Sequence, residues 1–152
     1  MKQLLYLCLA LAVPSLSVLA HSLEDHSEVE IDVLGESGSS WNGVVLPAYP
    51  TEAPQISIVK YTVPPHTRLP WHTHPSINAG YMVSGELTVT GADGQNKVLK
   101  AGEAIIEMVD LLHYGHNEGD VPAVIVVFYA GVADLPLAVL KEPEKTGSET
   151  SE

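Results

Sequence analysis

The sequence predicts an all-β domain, built as a sandwich or a small barrel. Short apolar runs rich in β-branched residues recur along the chain, and Gly, Pro and Asp break them at short intervals. Past the first twenty residues, no segment keeps a helical periodicity. Strands at this spacing are typical of sandwiches and small barrels, and a closed barrel leaves no strand edge exposed. The length of 152 residues favours one such domain.

The chain begins with a predicted secretory signal peptide, residues 1–20. Lys2 precedes the apolar run 4–13, and small residues lead to a predicted cleavage after Ala20. Pro14 interrupts a run that is already short for spanning a bilayer. The mature protein is therefore expected to be secreted or periplasmic, with no membrane partner. Cys8, the single cysteine, would leave with the peptide, so no disulfide is expected.

The remaining chain is predicted to have three parts. Residues 21–45 are expected to form an N-terminal arm, residues 46–140 the barrel domain, and residues 141–152 a disordered acidic tail. The chain has 19 acidic and 7 basic residues, for a formal net charge of −12 at pH 7. A surface of this charge repels nucleic acid and anionic membranes, so neither is expected as a partner.

Within the barrel domain, strands are predicted over residues 55–63, 79–83, 86–90, 97–99, 104–108 and 123–129. Pro64-Pro65 ends the first strand, Ser84-Gly85 joins the second to the third, and glycine-containing turns follow at residues 91–94 and 101–102. The last strand is one continuous apolar run, which predicts burial on both faces. Residues 131–140 are expected to close the domain, outside the barrel or against a second subunit.

Two histidines, His72 and His74, are the strongest chemical signal in the chain. Side chains two apart on a strand project from the same face. Two imidazoles on one face can bind one metal ion, each through one ring nitrogen. His113 is the candidate third ligand, and Asn78 shares the strand parity of the first two histidines. The sequence therefore predicts a metal site inside the barrel.

The spacing of these residues resembles the two sequence motifs of the cupin superfamily. The first motif places a His-x-His pair before a glutamate and a glycine, and the second places a glycine before a histidine and an asparagine. The residues in register are His72, His74 and Gly85, then Gly102, His113 and Asn117. The resemblance covers about residues 64–129. It implies a single-domain, jelly-roll-like cupin barrel with a metal site in its interior.

Four positions depart from the family pattern. His66 stands where the first motif begins with glycine, and Met108 and Asp110 replace the Pro and Gly of the second motif's Pro-x-Gly. Asn78 occupies the position of the glutamate ligand. An amide oxygen ligates metals weakly and carries no charge. A divalent ion held here by three neutral imidazoles would therefore keep nearly its full charge.

Resemblance to cupins with three histidine ligands implies a metal-dependent oxygenase that acts on a small anionic substrate, because an uncompensated cation attracts an anion. Three neutral imidazoles suit Fe²⁺, Zn²⁺ or Cu²⁺. Glu107 and Tyr81 are the candidate acid–base groups. Glu107 shares the parity of His113, so it could alternatively ligate the metal or hydrogen-bond an imidazole.

Two other interpretations stay open. A non-catalytic cupin could bind a metal or small molecule for sensing, storage or scavenging. A metal-free barrel is the other, and the loss of the glutamate at Asn78 is how such degeneration could begin. Analogy with small cupins also suggests a homodimer.

Overall fold

The computed structural model describes residues 29–141. The described residues belong to two units, residues 29–31 and residues 32–141. The described part of the first unit, residues 29–31, has no regular secondary structure. The predicted signal peptide lies outside the described residues, as does the predicted acidic tail except for Lys141. Between residues 29 and 141, no helix is long and apolar enough to cross a bilayer.

The second unit is built from antiparallel strands, which confirms the all-β prediction. The strands are β1 Pro54–Val63, β2 Thr67–Arg68, β3 His72–Thr73, β4 Ile77–Ser84, β5 Glu86–Gly91, β6 Asn96–Lys100, β7 Ala104–Ile106, β8 His113–Asn117, β9 Ala123–Val132 and β10 Val139–Leu140. One sheet has the order β1-β9-β4-β7. The other has the order β10-β3-β8-β5-β6, and β2 also pairs with β8.

A single apolar cluster lies on the inward-facing side of these strands. Its buried members are Val63, Met82, Leu87, Val89, Leu99, Ile105, Ala123, Ile125, Val127 and Tyr129. They alternate with exposed or half-buried residues along β4, β5 and β9, as the two-residue period of a strand requires. Removal of this apolar surface from water is the main driving force for the fold.

The prediction that the last apolar strand is buried on both faces was wrong. Residues of β9 alternate between buried and more exposed positions, and Phe128 is 43% exposed. The outward neighbours of Phe128 are also apolar, since its register partners are Ile58 on β1 and Ala79 on β4. An apolar outer face makes the run continuous in sequence although only its inner side is in the core. The homodimer stays a prediction.

The segments that precede and follow the barrel strands in the sequence pack onto the barrel. In the predicted arm, Trp41 packs against the core cluster, and its backbone N–H donates to the carbonyl of Ile106 at 2.9 Å. In the predicted closing segment, Leu137 packs against the same cluster and β10 pairs with β3. This pairing brings the closing segment next to His72, which is the register partner of Leu140.

Hydrogen bonds of the Asn117 side chain connect the end of β8 to the end of β1. Its side chain is fully buried, and its Nδ2 donates to the carbonyls of Val63, Pro64 and Val121 at 2.9–3.0 Å. Its Oδ1 accepts from the N–H of Gly119 at 3.0 Å. The motif asparagine therefore has a structural role: it satisfies backbone groups of the turn between β8 and β9.

We predict that Asn117→Ala lowers the free energy of unfolding by about 3 kcal/mol, because several buried backbone groups lose their partner at once. Urea denaturation followed by circular dichroism measures this. Asn96→Ala, an exposed position at the start of β6, is the control and should change stability by less than about 0.5 kcal/mol. Equal stability of the two variants would contradict this role for Asn117.

The two positions at which this chain has another residue in place of a cupin motif glycine both have a left-handed backbone. His66 and Asp110 both have φ of 54°, a conformation that glycine adopts with less strain. Gly102 has φ of 89°, with no atom near the position that a Cβ would take. The local backbone shape at 66 and 110 is thus one that glycine would favour, although glycine is absent from both positions.

We predict that Asp110→Gly raises the free energy of unfolding by about 1 kcal/mol, since glycine relieves the left-handed strain. Gly102→Ala should lower it by about the same amount through strain alone. Thermal melts of both variants beside the wild type measure the two shifts. A lower melting temperature for Asp110→Gly would show that the carboxylate makes a compensating contribution.

Candidate metal centre

A cavity of about 200 Å³ lies inside the barrel and reaches the predicted metal ligands. Most of its wall is aliphatic, with contributions from Leu69, Leu87, Val89, Ile125 and Val127. Its polar lining consists of Tyr61, His72, His74, Asn78, Glu107, His113 and Tyr129. The polar groups are therefore few, and each must be partnered by protein or by a bound species.

The three predicted histidine ligands come together at this cavity. β3 and β8 pair His72 directly with His113, and His74 follows β3 with a bridge to Val109. The ring centroids of His72 lie 4.8 Å from His74 and 4.4 Å from His113, and those of His74 and His113 lie 5.0 Å apart. One ligand nitrogen from each lies within 4.8 Å of the others, so the three could hold one metal ion.

Backbone carbonyls fix the orientation of all three rings. The Nδ1 of His72, His74 and His113 lies 2.9, 2.7 and 2.8 Å from a carbonyl oxygen. The acceptors are, in the same order, Pro70, Leu137 and Leu111. Because a carbonyl oxygen can only accept, each Nδ1 must carry the proton. In the neutral ring, each Nε2 is then left with a lone pair, which is the tautomer that a metal ligand needs.

Burial keeps two of these imidazoles neutral. It lowers the pKa of His74 to about 4, although the hydrogen bond to Leu137 partly opposes the shift. It also lowers the pKa of His113 to about 4, against the hydrogen bond to Leu111. A neutral imidazole can donate its lone pair to a metal, whereas an imidazolium cannot. Both rings are thus ready to bind a metal ion at neutral pH.

Asn78 and Glu107 face the same cavity. Asn78 is 1% exposed; its Nδ2 donates to the carbonyl of Ser76 at 3.2 Å, and its Oδ1 has no partner. Glu107 is 7% exposed, and its Oε2 lies 3.7 Å from the Nε2 of His113, which likewise has no hydrogen-bond partner. Burial raises the pKa of Glu107 to about 7, with partial opposition from the hydrogen bond of the Met108 backbone.

The structure does not bring Tyr81, the other candidate acid–base group, to the histidines. It lies on β4 three residues after Asn78 and therefore on the opposite face, where it is 40% exposed. Two other tyrosines line the cavity instead. The hydroxyls of Tyr61 and Tyr129 lie 3.1 Å apart, and the Tyr129 ring packs 5.6 Å from that of His74. Strand parity places Tyr61 on the same face as Val63 and Tyr129 on the same face as Val127, but it does not show that these faces line a cavity.

Other charged groups in the neighbourhood stay outside the cavity. His66 lies 3.1 Å from Asp120 and His116 lies 3.3 Å from Glu118, both toward the surface. The guanidinium of Arg68 stacks 3.7 Å from the centre of the Tyr114 ring. Among residues 29–141, no lysine or arginine lines the cavity. The cavity lining described by the structure therefore contains three imidazoles and one carboxyl group, without a lysine or an arginine.

These residues fit a divalent transition-metal ion. Three buried polar atoms lack partners beside the convergent rings, namely Asn78 Oδ1, Glu107 Oε2 and His113 Nε2. A bound cation would satisfy lone pairs that otherwise stay unpaired in an apolar cavity. Imidazole-rich donor sets suit zinc, copper and iron.

Comparison with known proteins agrees with the fold and the motifs. A family model described as "Cupin domain" matches residues 59–129. H2HPP isomerase from Bacillus subtilis is 38% identical over 58 residues, which cover 38% of this chain and 25% of the isomerase. Auxin-binding protein ABP19b from Prunus persica is 27% identical over 104 residues, which cover 62% of this chain and 50% of that protein. The chain thus spans half or less of the length of these relatives.

A solved structure shows the same fold. It is an uncharacterized conserved protein with a double-stranded β-helix domain from Klebsiella pneumoniae, 23% identical to this chain, with a TM-score of 0.51. The match covers 76% of this chain and 100% of the other. Residues 59–129 match the cupin domain model, so this part of the chain is a cupin domain, and the Klebsiella structure shows the same fold.

Proposed function

We propose that this protein is a metal-dependent cupin enzyme that acts on a small molecule. His72, His74 and His113 would hold a divalent ion, with Fe²⁺, Zn²⁺ and Cu²⁺ as the candidates. The observation that carries the proposal is the carbonyl partner of each Nδ1, which leaves three Nε2 lone pairs on one cavity. The ligand nitrogens of the three rings also lie within 4.8 Å of one another, as binding of one ion requires.

The cavity supports catalysis because it gives a ligand access to the metal site. Three protein ligands leave coordination positions open, as in catalytic zinc sites. A bound ion would supply Lewis-acid chemistry and could orient a substrate. The aliphatic walls, including Leu87, Val89 and Ile125, would pack against an apolar body and exclude water.

The same walls suggest the type of substrate. A cavity of about 200 Å³ admits a small molecule with an apolar body and one polar or anionic end, which would face the metal. The hydroxyls of Tyr61 and Tyr129 offer a second polar contact. The names of the two relatives, an isomerase and an auxin-binding protein, also support a small-molecule site. The second name favours the alternative of a non-catalytic binding protein, which turnover assays would distinguish.

We predict that the purified wild type contains or takes up about one Fe²⁺, Zn²⁺ or Cu²⁺ per chain, whereas His72→Ala takes up much less because one histidine ligand is gone. Elemental analysis after dialysis against each metal measures the ratio. His116→Ala, which changes a histidine paired with Glu118 outside the cavity, is the control and should bind like the wild type. A wild type without uptake would overturn the proposal.

The stability of the metal-free protein should depend on pH through the buried groups. Between pH 6.5 and about 4, the unfolded chain protonates His74 and His113 while the folded chain does not, so acid destabilises the fold. Glu107 acts oppositely: between pH 4.5 and about 7, the folded chain holds a proton that the unfolded chain releases. Its contribution therefore stabilises the fold as the pH falls.

We predict that the free energy of unfolding falls more steeply between pH 6.5 and 4.5 in Glu107→Gln than in the wild type, because glutamine cannot take up the proton that stabilises the folded wild type in this range. The extra loss should be on the order of 2 kcal/mol. Urea denaturation of both metal-free proteins at the two pH values measures it, and the difference cancels the contributions of other groups. The same pH dependence in both proteins would show that Glu107 has an ordinary pKa.

A further inference from the structure

Asn78 and Glu107 are opposite each other on neighbouring strands. Ala79 on β4 is the register partner of Ile106 on β7, so the next pair along is Asn78 with Glu107. The backbone confirms this pairing, because the N–H of Glu107 donates to the carbonyl of Asn78 at 3.1 Å. Both side chains are buried and both line the cavity. Neighbouring strands lie only about 4.8 Å apart, so side chains from either position can reach the same part of the interior.

The Asn78 side chain is poorly suited to neutralise a metal. Its amide is uncharged, and its Nδ2 is already bonded to the carbonyl of Ser76. Its Oδ1 is free, but an amide oxygen is a weak ligand. Position 78 therefore contributes a hydrogen-bonding group beside the histidines and no negative charge.

The Glu107 carboxylate has the geometry of a metal ligand. Its Oε2 lies 3.7 Å from the Nε2 of His113, and neither atom has a hydrogen-bond partner. That distance is long for a hydrogen bond. It falls in the range of about 3–4 Å that separates two ligand atoms bound to one ion at roughly 2 Å each. The two unpartnered atoms thus flank a position that one cation could share.

A cation would stabilise the ionised form of Glu107. A buried carboxylate without a charged partner is costly, and within residues 29–141 no lysine or arginine forms an ion pair with it. The neighbouring His113 is itself buried and held by the carbonyl of Leu111. A divalent ion at the three Nε2 atoms would offset the buried charge.

We infer that Glu107 is the charged ligand of this metal site, so that the carboxylate is supplied from β7 and not from position 78 on β4. This inference rests on the proposed metal site. It makes the first coordination sphere three imidazoles and one carboxylate, with a net charge of about +1 for a divalent ion. Because this lower charge attracts anions less strongly, the substrate need not be an anion. The substrate class therefore extends to neutral small molecules with one polar end.

The test moves the carboxylate between the two strands. Four proteins are titrated with Co²⁺ and with Zn²⁺ against a chromophoric chelator: the wild type, Glu107→Gln, the double variant Asn78→Glu with Glu107→Gln, and the exposed control Glu86→Gln. Visible absorption of each Co²⁺-loaded protein reports the ligand set independently of affinity. Circular dichroism melts without metal establish that each variant folds.

We expect Glu107→Gln to bind both metals at least tenfold more weakly and to show an altered Co²⁺ spectrum. The double variant should recover most of the affinity and the spectrum, because the carboxylate returns on the neighbouring strand. Glu86→Gln should match the wild type. If Glu107→Gln fails to fold, Glu107→Leu carries the test, because leucine places no polar group in the apolar cavity, and wild-type affinity and spectrum in that variant would overturn the inference.

Two results would overturn the inference while leaving the metal site intact. One is wild-type affinity and spectrum in Glu107→Gln. The other is weaker binding by Glu107→Gln with an unchanged Co²⁺ spectrum, which would make Glu107 a positioning residue that acts through His113. The proposed function fails differently: the wild type then binds neither metal, or His72→Ala binds as well as the wild type.

Discussion

Three hydrogen bonds from imidazole Nδ1 atoms to backbone carbonyls are the interaction on which the site depends. The carbonyls belong to Pro70, Leu111 and Leu137, which lie in three segments far apart in sequence. Each bond sets a ring's rotation and its tautomer together, because the carbonyl can only accept. The barrel supplies the positions of the rings, whereas the connecting segments supply their orientation. Precision at the centre therefore depends on backbone outside the long strands.

The apolar walls have opposite effects on the two kinds of titratable group beside them. Desolvation disfavours charge, so it lowers the pKa of His74 and His113 and raises the pKa of Glu107. Without a cation, low polarity thus favours the neutral form of these three groups. A divalent ion reverses this balance for the carboxylate and uses the neutral imidazoles as they stand. The low polarity of the cavity therefore accounts for the shifted pKa of the two imidazoles and of the carboxyl group.

Much of the fold could be predicted from residue pattern, and less of the site. The turn at Ser84-Gly85 and the gathering of His72 with His113 followed from spacing and parity. Tyr61 and Tyr129 were missed because parity shows which residues share a face, but not which faces enclose a cavity. The exposure of Phe128 was missed because an apolar outer face has the same sequence pattern as a doubly buried strand. The packing of the two sheets against each other decides which faces enclose the cavity and which face the solvent.

The bond between His74 and Leu137 links residues that are 63 positions apart, and Leu137 lies beyond the matched domain, residues 59–129. A ribosome releases the chain from the amino end, so both sheets' central strands emerge before this carbonyl does. Until Leu137 is added, the Nδ1 of His74 lacks the carbonyl that orients it in the folded protein. Of the three histidines, His74 is consequently the last for which the growing chain supplies an orienting acceptor.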